Sequence, residues 1–288
     1  LKTHWLAIAA LFFVASAWGA TFTLVKNVLA QIAPEPFLVL RFLVASAVLL
    51  ILALALRQLP RAAIAPGLIL GVVLFGAYWC QTRGLLTISP SRSAFLTGLY
   101  VVLVPFADRA LYKTRIPFVA WIGSALALAG TAMLIGGINA KPALGDLLTI
   151  GCAVFSALHV VLSAKYSVNA PALGLATLQA LVIGVVALPL AAFAPRVVWS
   201  REVAFAVLFT AIVTTALALV ALMWGQARVT ATEAAVILAF EPVAASITSI
   251  FFAHEPVTPL FLTGAALILT AIVLSQLPES PRRDPLAQ

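Results

Sequence analysis

Residues 36–56 read PFLVLRFLVASAVLLILALAL. This run carries one charge, Arg41, and one hydroxyl, Ser46. A helix rises 1.5 Å per residue, so about 20 such residues cross a hydrocarbon core of roughly 30 Å. Pro36 suits a first helical turn, where the missing N–H is not needed, and Arg57 ends the run in a polar break. Segments of the same kind recur on both sides. The spacing predicts ten of them: Trp5–Leu29, Pro36–Leu56, Ile64–Thr82, Ser93–Ala110, Pro117–Gly137, Gly145–Lys165, Pro171–Ala194, Val203–Gln226, Glu233–Ala253 and Thr258–Leu277. The chain has 288 residues, 64% hydrophobic and 9% charged, which is more apolar surface than a soluble domain can hide. Its net charge of +8 is dispersed at the ends of apolar runs. That is a membrane-topology pattern, not the basic face of a nucleic-acid binder.

The first segment has a second reading. Lys2 precedes the apolar run, and Ala15-Ser16-Ala17 has the form of a signal-peptidase site. The run continues through Val25, which is span length, and the repeat pattern needs it as helix one.

The two halves resemble each other. Gly84 and Gly225 are 141 positions apart, as are Ala94 and Ala235, and Gly123-Ser124-Ala125-Leu126 and Gly264-Ala265-Ala266-Leu267. Lys26 and Lys165 match at an offset of 139. Five helices is an odd number, so the second half must enter from the opposite side. The expected fold is therefore an all-α integral membrane protein of ten transmembrane helices in two inverted five-helix repeats, the architecture of many secondary transporters. The expected organisation is residues 1–140, residues 141–278 and a polar tail at 279–288. Ten Lys or Arg residues fall on the side of the termini and six on the other, which predicts cytoplasmic termini. Arg83 and Arg92 run against that bias.

Polar side chains mark the faces that look inward. Tyr78, Gln81 and Thr82 sit together on the third helix; Ser93, Thr97 and Tyr100 share a face of the fourth; Cys152, Ser156, His159 and Ser163 share one of the sixth; Thr210, Thr214 and Trp224 lie on the eighth. Single hydroxyls serve as interhelical glue as readily as they line a cavity. Bulky polar rings pack poorly as glue, so Tyr78, Tyr100 and His159 point to a cavity. The second and seventh helices carry almost no polar groups and are expected to face lipid.

Glu241 lies eight residues into the ninth segment, about 12 Å at 1.5 Å per residue, hence near the midplane. A carboxylate there costs a few kcal/mol, so it is expected to face a polar interior. Two roles fit: a site for a proton or a substrate amine, and a structural acceptor. Arg41 is close enough to its helix start to snorkel outward. Lys26 and Lys165 end helices, where cations suit the dipole.

Other chemistry is not encoded. No G-x-x-x-x-G-K-[ST] or G-x-S-x-G occurs, and His254-Glu255 lacks the second histidine of a zinc-protease helix. Cys80 and Cys152 lie in apolar runs and form no C-x-x-C pair. No cofactor and no metal site is expected.

Trp18-Gly19-Ala20-Thr21-Phe22 with Lys26 downstream, Arg41-Phe42, Glu241-Pro242-Val243, Glu255-Pro256 and Gly264-Ala265-Ala266 resemble, in order, motifs of the EamA-type drug/metabolite transporters. The resemblance spans the chain and extends to the bacterial aromatic amino-acid exporters of the YddG type. It implies a carrier of the bacterial inner membrane, not an enzyme, that exports small amphipathic metabolites by alternating access, through a cavity between helices 1, 3, 4, 6, 8 and 9. Aromatic and other neutral amino acids are the expected substrates, with protons as a further partner; drugs and other metabolites are the alternative. The expected cavity residues are Trp18, Thr21, Tyr78, Trp79, Gln81, Thr97, Tyr100, Ser156, His159, Ser163, Trp224, Phe240 and Glu241, with Glu241 as the candidate for proton coupling beside its structural alternative.

Overall fold

A computed structural model describes residues 2–113, 115, 116, 118–135, 141–229, 234 and 237–275. The described residues are helical and contain no strand. The first half comprises α1 (Lys2–Val28), α2 (Pro34–Ala55), α3 (Arg61–Gly84), α4 (Pro90–Gly98), α5 (Tyr100–Tyr112) and α6 (Phe118–Ile135). The second comprises α7 (Leu144–Tyr166), α8 (Ala172–Ala191), α9 (Arg201–Ala211), a π segment (Ile212–Leu217), α10 (Ala218–Gln226), α11 (Glu241–Phe252) and α12 (Pro259–Ser275). α4 and α5 form one span broken at Leu99, and α9, the π segment and α10 form another.

Seven of these rods are long and apolar enough to cross a membrane by themselves. Three shorter apolar helices, Trp121–Leu134, Glu241–Phe252 and Pro259–Ala271, belong to spans whose remaining ends lie outside the described residues. Ten spans in two inverted halves result. The boundary at residue 140, the tail at 279–288 and Glu233 also lie outside the described residues.

The packing obeys the repeat. α3 lies on α7 as α10 lies on α1; α3 lies on α8 as α9 and the π segment lie on α2; α5 lies on α7 as α11 lies on α1. Exchanging the halves returns the same neighbours, and α2 against α8 and α6 against α12 exchange with themselves.

Glycine sets the crossings. A Cβ on Gly84 would stand 2.5 Å from the Thr149 hydroxyl and 3.0 Å from the Gly145 carbonyl. One on Gly225 would stand 2.8 Å from Leu11 and 3.5 Å from the Ala7 carbonyl. Thr149 and Leu11, like Gly145 and Ala7, are 138 positions apart. This corrects the offset of 139 read from Lys26 and Lys165 and makes Ser156 the counterpart of Trp18.

α2 and α8 are also corrected. Both present buried faces, including Phe37, Leu38, Phe42 and Ala45 on α2 and Ala176, Ala180, Ile183 and Ala187 on α8, and they pack on each other. An apolar helix in a membrane protein finds protein as acceptable as lipid, so lack of polar groups does not decide which it meets. Lipid-side residues remain on the same helices, among them Ile51 and Leu54 of α2 and Val185 of α8.

Candidate functional site

A central cavity of about 630 Å³, its opening included, lies where both halves meet. Trp18, Thr21 and Phe22 come from α1, Leu74, Ala77, Tyr78 and Gln81 from α3, Thr97 and Tyr100 from the broken fourth span, and Cys152, Ser156, His159 and Val160 from α7. Leu222 of α10, Leu238 and Glu241 close it, and Arg41 enters from α2. Nine of the expected residues therefore meet on one cavity: Trp18, Thr21, Tyr78, Gln81, Thr97, Tyr100, Ser156, His159 and Glu241.

Four do not line it. Trp79 turns to the helix ends, where its indole donates to Glu35 Oε1 at 3.1 Å. Ser163 is buried one turn beyond, 3.4 Å from His159 Nε2. Trp224 is covered by the Arg228 guanidinium at 4.2 Å from its ring centre. Phe240 packs on Phe12 at 4.6 Å between centroids. The helical period places residues one turn apart on a face, but it does not say where along the helix the cavity ends.

The spans that hold the site are irregular at matching places. In the fourth span Leu99 N–H bonds to Leu96 O at 3.3 Å and Leu103 N–H to Leu99 O at 3.1 Å. In the ninth, Phe240 N–H bonds to Ile237 O at 3.2 Å and Ala244 N–H to Phe240 O at 3.0 Å. Every atom of the second set lies 141 residues after its counterpart in the first. Each break starts a new helix, with Tyr100 and Glu241 as its first residues, and both line the cavity. Pro242 sits in the first turn of α11, where its missing N–H costs nothing. Glu241 thus occupies the positive end of a helix rather than the middle of one, a position that favours a carboxylate. Glu241 is buried and makes no hydrogen bond or ion pair with a described residue.

Arg41 does not snorkel. It is 3% exposed, and its Nε donates to Thr215 Oγ1 at 2.8 Å while Nη2 donates to Thr214 Oγ1 at 3.3 Å and Thr214 O at 3.4 Å. Its guanidinium carbon stands 4.8 Å from the centre of the Tyr78 ring, within cation–π range. Trp18 Nε1 donates to the same Thr214 carbonyl at 2.8 Å. Thr214 and Thr215 lie in the π segment, where i→i+5 bonding displaces backbone groups that side chains then meet. Trp18 and Arg41, which stood in separate sequence motifs, converge on one carbonyl.

A hydrogen-bond network fixes the α7 wall. Gln179 Nε2 donates to Leu175 O at 3.1 Å, so its Oε1 accepts from His159 Nε2 at 2.7 Å. This assigns the imidazole proton to Nε2 and leaves Nδ1 as an acceptor. Gln81 Nε2 donates to Thr97 Oγ1 at 3.3 Å.

Cross-half bonds cluster at one membrane face, the one opposite the start of α1. Arg92 of α4 forms a two-pronged pair with Asp146 of α7, at 2.6 Å and 2.5 Å. Glu255, after α11, accepts from the hydroxyls of Ser89 and Ser249 and from the Ser91 N–H. Ser200 donates to Gln31 at 2.7 Å. Lys26 Nζ reaches Leu85 O at 2.6 Å, so it caps the end of α3. Arg92, which ran against the charge bias, serves here as a latch, and Arg83 pairs with Glu35 at 2.6 Å. Among the described residues no cluster of side chains could hold a metal ion.

The family model of the EamA-like transporters matches twice, over residues 5–136 and 143–277. The chain belongs to the EamA-like transporter family. A protein of Archaeoglobus fulgidus bearing the name uncharacterized transporter is 31% identical over 267 residues, covering 92% of this chain and 83% of the relative. A solved crystal structure superposes with a TM-score of 0.68 at 19% identity, covering 92% of this chain and 94% of the other, which shows a shared fold. This EamA-like transporter is accordingly a multi-pass membrane protein whose cargo is a small molecule.

Proposed function

We propose that this EamA-like transporter is a secondary carrier that exports small amphipathic metabolites, foremost aromatic and other neutral amino acids, by alternating access. The observation that supports it is the composition of the cavity wall. Trp18, Phe22, Tyr78 and Tyr100 offer ring faces, and Glu241 is a carboxylate with no described protein partner. Rings accept apolar side chains and stabilise ammonium groups by about 0.5–2 kcal/mol. The carboxylate fits an amine or a proton. The two halves, 1–140 and 141–278, would rock about the cavity, with 279–288 as a tail. The excess of basic residues on the side of the termini supports cytoplasmic termini in a bacterial inner membrane, with the latched face outside. No cofactor is required, and no chemical conversion of the cargo.

Counterflow into proteoliposomes tests the reading. Vesicles preloaded with unlabelled phenylalanine should accumulate labelled phenylalanine transiently, and other neutral amino acids should compete. Accumulation driven by drugs or sugars but by no amino acid would replace the substrate class. Rapid equilibration without overshoot would indicate a channel.

A further inference from the structure

We infer that Arg41 is the anchor for a carboxylate on the cargo, so that the cavity selects substrates bearing a negative end. The inference deepens the amino-acid reading above and rests on it.

Among the described residues, Arg41 and Glu241 are the only charged ones on the cavity wall. Arg41 is buried, yet its hydrogen bonds to described residues all go to neutral groups: two threonine hydroxyls and one carbonyl. Among the described residues it has no anionic partner. A buried, uncompensated charge costs several kcal/mol, and the usual remedy is a paired carboxylate nearby. Here Glu241 lines the same cavity and does not pair with it.

The neutral partners fix the guanidinium instead of neutralising it. Nε and Nη2 are held on the π segment. A guanidinium has five N–H donors in a fixed plane that matches a carboxylate two-to-two, so donors remain for a ligand. The Tyr78 ring packs against the guanidinium carbon at 4.8 Å from its centre, and Glu241 lies on the same cavity wall. A wall with one cation and one carboxylate, separately held, complements a zwitterion. A phosphorylated cargo, with two negative charges, would require more cations than the wall provides.

The test is competition in counterflow between an amino acid and its carboxamide, which has the same side chain and amine but no negative end. Wild type should favour the acid by roughly tenfold or more, the scale of a hydrogen bond to a charged group. Arg41→Gln should erase that preference, bringing the ratio of acid to amide competition close to one, and Arg41→Lys should keep part of it. If Arg41→Gln does not fold, the wild-type comparison still decides, because equal competition by acid and amide overturns the inference. Amino-acid transport with undiminished acid preference in Arg41→Gln also overturns it and leaves the amino-acid reading intact. Carriage of amines or drugs with nothing bearing a carboxylate overturns both.

Discussion

At the scale of single residues, the charged groups carry the argument. Glu241 was found in the sequence because an intramembrane carboxylate is costly wherever it stands. Arg41 was misread because its distance from the helix start allows two outcomes, and sequence position cannot tell snorkelling from burial. Only its partners decide, and Thr214 and Thr215 are 173 and 174 residues away. Leu74, Ala77, Leu222 and Leu238 line the cavity without any signal, since a small or apolar residue reads alike in a wall and in a core. Glu241 carries the sharpest residue-level prediction. Glutamine keeps its shape and hydrogen-bonding capacity but cannot titrate. In Glu241→Gln, pH-driven uphill transport should be lost while substrate exchange persists at a rate within a few-fold of wild type. A pH gradient imposed on proteoliposomes reads the first and counterflow the second. Full uphill transport in a well-folded variant would make Glu241 structural.

At the scale of elements, the ten apolar runs were legible because lipid demands about 20 apolar residues per span. The breaks inside them were not. Leu99 and Phe240 interrupt their helices without a glycine or proline at either position, and only Pro242 flags the second break. Nor does Ile212–Leu217 advertise a π segment, because its register depends on the Trp18 and Arg41 donors that meet it. Gly19 shows how closely these elements fit. A Cβ there would lie 2.5 Å from the Glu241 carbonyl and 2.6 Å from the Ala244 Cβ. Gly19→Val should therefore force α11 away from α1 and cost about 1–3 kcal/mol, the usual range for overpacking. Thermal unfolding in detergent should show a lower midpoint, and transport should fall more than stability does, because the displaced helix carries Glu241. An unchanged midpoint would mean that α1 and α11 are not held in this contact.

At the scale of the whole molecule, the inverted repeat supplies both the cavity and the means to open it. The internal offsets, faint in the sequence, reappear in the structure as matched glycine contacts and matched helix breaks. Alternating access requires that the contacts sealing one face be breakable, and the cross-half bonds of Arg92 with Asp146 and of Ser89 and Ser91 with Glu255 seal one face. Asp146 is fully buried, so removing Arg92 leaves a carboxylate that has lost its pair, a change of roughly 3–5 kcal/mol for a buried partner. Arg92→Gln should consequently favour the state open at that face. The direct measurement is the reactivity of a single cysteine at Tyr100, in a background lacking Cys80 and Cys152, towards a membrane-impermeant thiol reagent added to either side of oriented vesicles. With Arg92 intact, labelling should come from the side of the termini and be blocked by bound amino acid. With Arg92→Gln, labelling should gain on the latched side and fall on the other. Equal reactivity from both sides at once, or none from either side in both backgrounds, would contradict a central cavity opened to one face at a time.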